Sequence, residues 1–439
     1  MSDNITVIKP LEGPMHGSTR VPGDKSISHR AVLFSAMAEG TSRVSGVLDS
    51  ADVRSSIGAV RALGAQVSLE KQADGSLAGG ITGWGVAGPS QPAEPVDCGN
   101  SGTTVRLLMG ILAPWDIQVT LTGDSSLCKR PMRRITAPLM KMGARFLPEG
   151  RETLPITVHG GGLRPLTYDA PMASAQLKTA VLLAGMYASG TTTVNEPAPS
   201  RNHTELMLPE YGVATTAGAC TASVTGPAQP QAGEVLVPGD PSSAAFLACA
   251  AVLRPESSIQ IEDVSLNTAR IGFVRTLERM GAKVSVTHTG AAGKEPYGII
   301  EACYTPGLRG CEVPADKIAG IIDEIPVLAL VAAHAHGITV FRQVGELRVK
   351  ETDRLAAIMD GLAKLGVDTW CEGDDLYIEG QPGLQVPEGL EFDSLGDHRL
   401  AMTWSLVGLT GRVAVNIKDF EAVRVSYPGF LDDIERLAR

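Results

Sequence analysis

One structural pattern occurs five times in the sequence, and it restricts the possible folds more than any other feature. In each copy a segment with helical periodicity ends in Gly followed by Ala or Val, and a short strand-like segment comes next. Glycine is favoured there because it adopts the left-handed conformation that ends many helices. The five copies are centred on Gly64, Gly143, Gly212, Gly281 and Gly366. Their spacing of roughly 70–85 residues predicts an α/β unit with two helices and several strands.

The pattern begins a sixth time near the C-terminus. YPGFLDDIERLAR has helical periodicity, but no glycine and strand follow it. ITVIK at residues 5–9 alternates like a strand, so the N-terminal segment is the candidate for the missing strand. We therefore expect six similar α/β units, with the first and last segments of the chain paired. The alternative is that the junctions are unrelated, because helices that end in glycine before a strand occur in many folds.

A second internal similarity predicts a domain boundary. STRVPGDKSISHRAV begins at Ser18 and GEVLVPGDPSSAAF begins at Gly233, and both read as a strand, Val-Pro-Gly-Asp and an Ala-containing helix. Pro and Gly end strands, whereas Asp and Ser cap helices. If the chain crosses between domains at both places, residues 23–237 form a domain inserted into one made of residues 1–22 and 238–439. A chain of 439 residues is long enough for two such cores.

Composition argues against several classes of function. The net charge of −10 creates no overall attraction for nucleic acid or acidic lipids, and 4% aromatic residues argue against a base-stacking surface. No segment approaches the roughly 18 apolar residues of a membrane-spanning helix, and the N-terminal segment lacks a signal-peptide pattern. Seven scattered cysteines without a CxxC pair predict a reduced, cytoplasmic protein. An anionic ligand would therefore need a local cluster of cations.

Three segments of the first half place cations or hydroxyl groups at the predicted start of a helix: PGDKSISHR, DCGNSGTTVR and ASAQLKTA. A fourth segment, GDSSLCKRPMRR, packs four basic residues beside a turn. Helix N-termini favour phosphate and carboxylate because their N–H groups are free and the helix dipole is positive there. The candidate anion-binding residues are Lys25, Ser26, Arg30, Gly102, Arg130, Ser174 and Gln176. The alternative is a set of capped helices with solvated cations.

The second half contains similar charged segments. Asp323 and Glu324 precede a strongly apolar helix, where the alternative role of the acids is only to interact with the helix dipole. RVKETDRL places Lys350 and Arg354 on one helical face, because they are four residues apart. GDHRLAM adds Arg399 before another helix.

The sequence contains no pattern typical of a metal site. The histidines of HAH at residues 334–336 diverge on a helix, because side chains two residues apart do not share a face. Neither HExxH nor a cluster of cysteines occurs. We therefore expect no metal ion.

Taken in order, nine motifs resemble the enolpyruvyl transferases, and most closely the branch whose acceptor is 3-phosphoshikimate. The motifs are GDKSISHRA, GNSGTTVR, GDSSLCKRPM, SAQLKTA, SRNHTE, PGDPSSAAF, DEIPVLA, RVKETDRL and GDHRLAM, and they span nearly the whole chain. The resemblance implies an α/β fold of two similar domains, each made of three βαβαββ units in an inside-out α/β barrel, with the substrate cleft between them. It also implies a cytoplasmic enzyme that is usually monomeric and uses no cofactor.

The resemblance implies a reaction and roles for individual residues. This branch transfers the enolpyruvyl (carboxyvinyl) group of phosphoenolpyruvate to the 5-hydroxyl of 3-phosphoshikimate, with release of phosphate, in the shikimate pathway to aromatic amino acids. The implied 3-phosphoshikimate contacts are Lys25, Ser26, Arg30, Ser174, the backbone of Ala175, Gln176, Ser200, Asp323 and Lys350. The implied phosphoenolpyruvate contacts are Lys25, Gly102, Arg130, Gln176, Arg354 and Arg399. Asp323 is the implied proton acceptor, and Glu351 and Lys25 are the implied groups for proton transfer at the vinyl carbon.

Three positions depart from the pattern of many members. Glu346 stands in place of Asn, and His203 stands where some members have Tyr. Val425 stands in place of a Lys; Arg424 precedes it, but adjacent residues of a strand would face opposite ways. These departures place the contacts of all three positions in question.

Two alternative functions make different predictions. The sister enzyme with UDP-N-acetylglucosamine as acceptor has a reactive Cys in the loop before the Arg130 position, and Ser125 stands there in this chain. A scaffold that binds anions without catalysis would have lost an acid or a base. Lys25, Asp323 and Glu351 are all present, which favours an enzyme.

Overall fold

The computed structural model describes residues 4–439, and the chain divides into two compact units. Unit 1 comprises the N-terminal segment up to Pro22, Gly239–Gly290 and Pro296–Arg439, and unit 2 comprises Gly23–Pro238 and Ala291–Glu295. The predicted boundary after residue 237 therefore lies one residue later. The prediction did not include the short segment Ala291–Glu295, which groups with unit 2 through long-range contacts that sequence periodicity does not reveal. That the two units act as functional domains stays a prediction.

Residues 4–439 form 23 strands and 13 α-helices. The strands are β1 Ile5–Ile8, β2 His16–Arg20, β3 Thr41–Val47, β4 Gln66–Lys71, β5 Leu77–Thr82, β6 Val96–Asp97, β7 Gln118–Thr122, β8 Arg145–Leu147, β9 Ile156–His159, β10 Thr167–Asp169, β11 Gly190–Asn195, β12 Thr215–Ala217, β13 Thr221–Gly226, β14 Glu234–Leu236, β15 Ser258–Ser265, β16 Lys283–Ala292, β17 Glu295–Cys303, β18 Glu312–Val313, β19 Gly337–Phe341, β20 Thr369–Glu372, β21 Asp375–Gly380, β22 Glu391–Asp393 and β23 Val415–Lys418. The helices are α1 Lys25–Met37, α2 Ala51–Ala62, α3 Gly102–Leu112, α4 Arg133–Met142, α5 Ala175–Gly185, α6 His203–Met207, α7 Pro241–Leu253, α8 Gly272–Arg279, α9 Ala315–Ile318, α10 Ile325–Ala333, α11 Arg354–Lys364, α12 His398–Thr410 and α13 Phe430–Leu437.

Unit 2 consists of three four-stranded sheets around a core of helices. The strand orders are β14-β3-β5-β4, β6-β7-β9-β8 and β10-β11-β13-β12. In each sheet the first pair is parallel and the other two pairs are antiparallel. Helices α1, α3 and α5 are buried along most of their length; α3 and α5 are mainly apolar, whereas α1 also buries Ser28, His29 and Arg30. Helices inside and sheets outside form the inside-out α/β barrel that was predicted.

Unit 1 repeats this arrangement. Counted from the parallel pair, as in unit 2, its sheets have the orders β2-β15-β17-β16, β18-β19-β21-β20 and β22-β23-β1, and its buried helices are α7, α10 and α12. The predicted contact between the two ends of the chain is confirmed, since β1 pairs with β23 in antiparallel register. However, β1 occupies the third position of its sheet, whereas the strand that follows each repeat glycine occupies the fourth. In the part of the chain that the structure describes, the sixth sheet therefore has three strands.

The five repeat glycines end helices as predicted. Gly64, Gly143, Gly212, Gly281 and Gly366 all have positive φ, between 74° and 121°. This region of backbone conformation is unfavourable for residues with a Cβ atom, so glycine lets the chain turn directly from a helix into a strand. The strands β4, β8, β12, β16 and β20 follow within a few residues of each glycine.

The two Val-Pro-Gly-Asp segments form equivalent contacts at the boundaries of the units. The backbone N–H of Asp24 donates to the Pro238 carbonyl, and the backbone N–H of Asp240 donates to the Pro22 carbonyl, both at 2.8 Å. Gly23 is required because a Cβ atom there would overlap the carbonyl oxygen of Gly46. At each segment the chain passes from one unit into the other. Strand β2 pairs with β15 in unit 1 before α1 of unit 2, and β14 pairs with β3 in unit 2 before α7 of unit 1. None of the helices within residues 4–439 is long and apolar enough to cross a membrane.

Candidate active site

The first candidate cations of unit 2 lie at the start of α1. The Asp24 carboxylate caps this helix by accepting from the backbone N–H of Ile27 at 2.9 Å. Lys25 is the first helical residue, and its ammonium group forms a close ion pair with Asp52.

Arg30 lies one turn further along α1 and is 3% exposed. Its Nε donates to Thr204 Oγ1 at 2.8 Å, and Nη2 donates to Thr179 Oγ1 at 2.9 Å. Burial lowers the pKa of Arg30 to about 10, although the carboxylate of Glu205 acts in the opposite direction. Arg30 therefore remains charged at neutral pH and is fixed by neutral hydroxyl groups, which leaves its charge available for an anion.

Three arginines converge near the start of α3. Arg106 Nη1 donates to Gln176 Oε1 at 2.8 Å, and Arg134 Nη2 donates to the same oxygen at 3.2 Å. Arg130 is held from the side by Asn100, to which its Nη2 donates at 2.6 Å. Gln176 also donates from Nε2 to Thr103 Oγ1 at 3.0 Å. The cluster combines guanidinium groups with the N-terminus of a helix, which is suited to a phosphate or carboxylate.

Gly102 is the first residue of α3, and the space beside it is occupied by cations. A Cβ atom at this position would lie 2.8 Å from Arg106 Nη1 and 3.4 Å from Arg130 Nη1. We expect Gly102→Ala to displace the Arg106 guanidinium from Gln176 and to raise the KM for phosphoenolpyruvate by about tenfold, with a smaller change for 3-phosphoshikimate. Steady-state kinetics with each substrate varied in turn measures the difference.

A control for this substitution is Gly58→Ala, because no atom lies within 4 Å of a Cβ atom placed at Gly58 in the middle of α2. Its KM values should equal those of the parent. If Gly102→Ala also leaves the KM for phosphoenolpyruvate unchanged, the arginine cluster does not hold the donor.

A buried carboxylate organises two further candidates in unit 2. Glu196 Oε1 accepts from the backbone N–H of Ser174 at 2.8 Å, and its Oε2 accepts from Ser200 Oγ at 2.9 Å. Lys178 forms ion pairs with both Glu196 and Glu205, with Nζ–O distances of 2.9 and 2.8 Å. Ser174 also caps α5, whose first residue, Ala175, presents a free backbone N–H.

In unit 1, Asp323 lies among three cations. Arg354 Nη1 donates to Asp323 Oδ1 at 3.1 Å, Lys350 Nζ lies 3.9 Å from the same oxygen, and Arg399 Nη2 lies 3.8 Å from Oδ2. Asp323 precedes α10, as predicted from the apolar run that follows it. A carboxylate at this position can accept a proton from a bound hydroxyl group.

Arg354 is held by carboxylates on several sides. Its Nε donates to Asp397 Oδ2 at 2.7 Å, and its Nη2 donates to Glu351 Oε2 at 2.6 Å. Burial lowers the pKa of Arg354, but the carboxylates of Glu351, Asp397 and Asp323 outweigh this effect, so the net shift is upward. Asp397 is itself buried, caps α12 and accepts from the backbone N–H of Arg399 at 2.8 Å. These bonds fix the guanidinium plane of Arg354 and the backbone at Arg399, and both residues are candidates in unit 1 for binding the donor.

The three positions that depart from the family pattern have clear surroundings. Glu346 Oε1 accepts from Lys350 Nζ at 2.7 Å. His203 is fully buried at the start of α6, with Nδ1 3.3 Å from Glu295 Oε2. The segment around Arg424 is a 3-10 helix rather than a strand, so the argument from opposite strand faces was wrong; Arg424 pairs with Glu421 at 3.0 Å on the surface.

The predicted site residues are divided between the two units. Unit 2 contains Lys25, Ser26, Arg30, Gly102, Arg130, Ser174, Ala175, Gln176 and Ser200, and unit 1 contains Asp323, Lys350, Glu351, Arg354 and Arg399. Sequence reasoning missed Arg106, Glu196 and Asp397. Arg106 lies four residues after Gly102 on the same helix, and Asp397 directly precedes a helix, so both had a local signal. Glu196 had none, because its contact with Ser174 is long-range.

Within residues 4–439 no group of three or more His, Cys, Asp and Glu side chains could hold a metal ion. The candidate anion-binding groups in both units are arginines, lysines, hydroxyl groups and helix N-termini.

Comparisons with known proteins point to one family. A family model described as EPSP synthase (3-phosphoshikimate 1-carboxyvinyltransferase) matches residues 10–434. A 3-phosphoshikimate 1-carboxyvinyltransferase from Bacillus pumilus is 43% identical over 429 residues, with 97% of this chain and 98% of the relative covered. The same-named protein from Gluconobacter oxydans is 45% identical over 438 residues, with 98% and 97% covered. An EPSP synthase structure from Acinetobacter baumannii matches with a TM-score of 0.88 at 39% identity, over 99% of this chain and 98% of that one.

Proposed function

The chain belongs to the EPSP synthase family, and we propose that it transfers the enolpyruvyl group of phosphoenolpyruvate to the 5-hydroxyl of 3-phosphoshikimate and releases phosphate. The observation that carries this proposal is the placement of Asp323 among Lys350, Arg354 and Arg399. Both substrates carry a phosphate and a carboxylate, so the site needs cations, and the acceptor hydroxyl needs a base. The family matches support the same reaction.

The acceptor is proposed to bind residues of both units. Arg30 and Ser174 of unit 2 would hold one anionic group of 3-phosphoshikimate, because the cited bonds leave the charge of Arg30 and the hydroxyl proton of Ser174 for the ligand. Ser200 Oγ donates its one proton to Glu196, so it would have to exchange that bond for one to the ligand. Lys350 of unit 1 would hold the other. The remaining proposed contacts are Lys25, Ser26, the Ala175 backbone, Gln176 and Asp323. The substrate cleft between the two units is part of this proposal.

The donor is proposed to bind the arginines. Arg130 and the backbone at Gly102 in unit 2, and Arg354 and Arg399 in unit 1, would hold the phosphate and carboxylate of phosphoenolpyruvate by bidentate contacts. Lys25 and Gln176 complete the proposed set. Arg106 is added because it bonds Gln176 and lies beside Gly102. Holding both partners in place supplies much of the rate acceleration through orientation.

Asp323 is proposed as the general base. As the acceptor oxygen forms a bond to C2 of phosphoenolpyruvate, its proton passes to the Asp323 carboxylate, and a proton is added to the methylene carbon C3. This addition yields a tetrahedral intermediate. The C–O bond to phosphate then breaks, a proton leaves C3, and the vinyl group is restored. The cations near Asp323 stabilise the negative charge of the departing phosphate.

Glu351 and Lys25 are proposed for proton transfer at C3. Glu351 is bonded to Arg354 Nη2 at 2.6 Å, so a donor carboxylate that engages Arg354 would release Glu351. This exchange couples donor binding to the availability of an acid beside the vinyl group. Lys25 would act from unit 2, where its partner is Asp52.

The wider setting is also a proposal. The reaction is a step of the shikimate pathway towards aromatic amino acids, and we propose that the chain performs it as a cytoplasmic monomer. Its partners would be the two small-molecule substrates, without nucleic acid. The net charge of −10 and the local clusters of cations support small anions as ligands.

A coupled assay of phosphate release tests the proposal. We expect release that requires phosphoenolpyruvate together with 3-phosphoshikimate and is absent with UDP-N-acetylglucosamine as acceptor. Release with the nucleotide sugar would instead favour the sister enzyme. Absence of release with either acceptor would favour the non-catalytic scaffold.

Glu346 is expected to weaken acceptor binding by pairing with Lys350 in the unliganded enzyme. The prediction that Lys350 and Arg354 share a helical face was wrong, because Lys350 ends a 3-10 helix and α11 begins only at Arg354. Ion pairs near the surface contribute only about 0.2–1 kcal/mol, so Glu346→Gln should lower the KM for 3-phosphoshikimate by about twofold. The matched control is Glu435→Gln, which removes an exposed partner of Arg439 elsewhere in unit 1. An increased KM in Glu346→Gln would mean that Glu346 assists binding of the acceptor.

A further inference from the structure

Glu324 is a buried carboxylate that the reaction described above does not use. It is the N-cap residue of α10, directly after Asp323, and its side chain is fully buried. Its Oε1 accepts a short hydrogen bond from Ser242 Oγ and lies 3.6 Å from Arg399 Nη1. A fully buried carboxylate is costly unless nearby groups stabilise its charge, so its position requires an explanation.

A chain of polar contacts holds the same Glu324 oxygen, Oε1, that lies near Arg399. Arg270 Nη2 donates to Ser242 Oγ at 2.9 Å and to Asp240 Oδ1 at 2.8 Å. Asp240 in turn accepts from the backbone N–H of Ser242 at 2.8 Å and caps α7. These residues are all nearly inaccessible to solvent. The chain therefore holds the Glu324 carboxylate at a set distance from Arg399.

Arg399 lies between two carboxylates without a hydrogen bond to either. Its Nη1 is 3.6 Å from Glu324 Oε1, and its Nη2 is 3.8 Å from Asp323 Oδ2. Both distances exceed the range of about 2.7–3.2 Å for an N–H···O hydrogen bond. The guanidinium is oriented by one bond to the backbone, from Nη1 to the carbonyl of Asp323 at 3.1 Å. Its position therefore depends on the balance of attraction between the two acids.

We propose that Glu324 is a positioning residue whose charge holds Arg399 away from the carboxylate of Asp323. This inference rests on the proposed function, in which Asp323 accepts a proton and Arg399 holds the donor. With Glu324 ionised, Arg399 remains available to an incoming anion, and the Asp323 carboxylate keeps its affinity for a proton.

Loss of the Glu324 charge removes one of the two attractions. Arg399 then moves towards Asp323 and forms a closer ion pair. An opposite charge at shorter range favours the ionised form of a carboxyl group, so the pKa of Asp323 falls. A weaker base and a partly neutralised arginine both slow the reaction.

Other charged groups also surround these residues and set the baseline for any titration. Those facing Asp323 are Lys350 and Arg354, with Glu346, Glu351 and Asp397 bonded to them. Those near Glu324, besides Arg399, are Arg270 and Asp240, with Ser242 between them, and the thiol of Cys249, whose pKa is raised by burial and by Glu324. A substitution at position 324 also changes the surroundings of Ser242 and Cys249, whereas the groups bonded to Lys350 and Arg354 keep their contacts with Asp323.

The test is a titration of Asp323 in the ligand-free enzyme, by NMR of carboxyl-¹³C aspartate with Asp323→Asn to assign the signal. We expect Glu324→Gln to titrate about one pH unit lower than the parent, with turnover reduced on the order of tenfold. Glu324→Asp keeps the negative charge but moves it farther from Arg399 by one methylene group. The pKa of Asp323 in this variant should therefore lie between those in the parent and in Glu324→Gln. If Glu324→Gln folds poorly, the titration of Asp323 in Glu324→Asp still tests the inference.

Glu295→Gln is the control, because it removes a different buried carboxylate, in unit 2, next to His203. It should leave the Asp323 titration unchanged. An unmoved titration in both position-324 variants contradicts the inference, and so does an equal shift in Glu295→Gln. Failure of the proposed function is distinguishable, since the parent would then release no phosphate while the titration still shifts.

Discussion

Replacing Asp323 with Asn is expected to lower turnover by a factor on the order of 10²–10⁴, the usual contribution of a general base. The amide has nearly the same shape and still accepts the bond from Arg354 Nη1, so the site should remain assembled. It cannot take up the proton of the acceptor hydroxyl. Turnover from steady-state kinetics and the Kd of 3-phosphoshikimate from calorimetry separate the two effects, and the Kd should change only a few-fold.

Asp316→Asn is the matched control for this substitution. Asp316 lies on α9 of the same unit, is exposed and pairs with its neighbour Lys317. Its turnover should equal that of the parent. If Asp323→Asn also retains turnover within a few-fold of the parent, Asp323 is not the general base and only interacts with the dipole of α10.

Replacing Arg354 with Gln should produce the largest loss of stability among the site residues. Arg354 is 1% exposed and bonds the fully buried carboxylate of Asp397, as well as Asp323 and Glu351. Removing one partner of a buried ion pair leaves an uncompensated charge and costs about 3–5 kcal/mol. Urea denaturation should show this as a lower midpoint, and the KM for phosphoenolpyruvate should rise.

Arg342→Gln gives the comparison on the surface. Arg342 also bonds two carboxylates, Glu312 and Asp375, at 2.8–3.0 Å, but in contact with water. Solvent screens such pairs, so the change in the denaturation midpoint should be much smaller. Equal shifts in the two variants would show that burial of Arg354 does not determine its contribution.

The parts of the fold that sequence analysis predicted correctly depend on local chemistry. A glycine directly after a helix usually adopts the left-handed conformation that ends the helix, so Gly64 and its four counterparts identified the repeating units. Apolar runs without a polar face identified buried helices such as α10. The role of β1 was only partly predicted. Alternation identifies a strand, but the position of that strand within a sheet depends on pairing with distant β23.

In the candidate site, too, residues with a local sequence signal were predicted, whereas residues defined by long-range contacts were not. Arginines and lysines at helix starts were found because a helix N-terminus attracts anions wherever it occurs. Their organising partners were found less often. Glu196 lies 22 residues from Ser174, and Glu324 lies 82 residues from Ser242. No periodicity connects such pairs, because only the folded core brings them together.

The central claim is that one molecule of 3-phosphoshikimate is held by residues of both units, and calorimetric binding tests it most directly. Arg30→Gln changes unit 2 and Lys350→Gln changes unit 1, whereas Arg164→Gln and Lys364→Gln remove exposed cations of the same two units as controls. A hydrogen bond to a charged group contributes about 1.5–3 kcal/mol, so each site variant should bind at least about tenfold more weakly. The controls should bind like the parent. Parent-like affinity in either Arg30→Gln or Lys350→Gln would contradict a site built from both units.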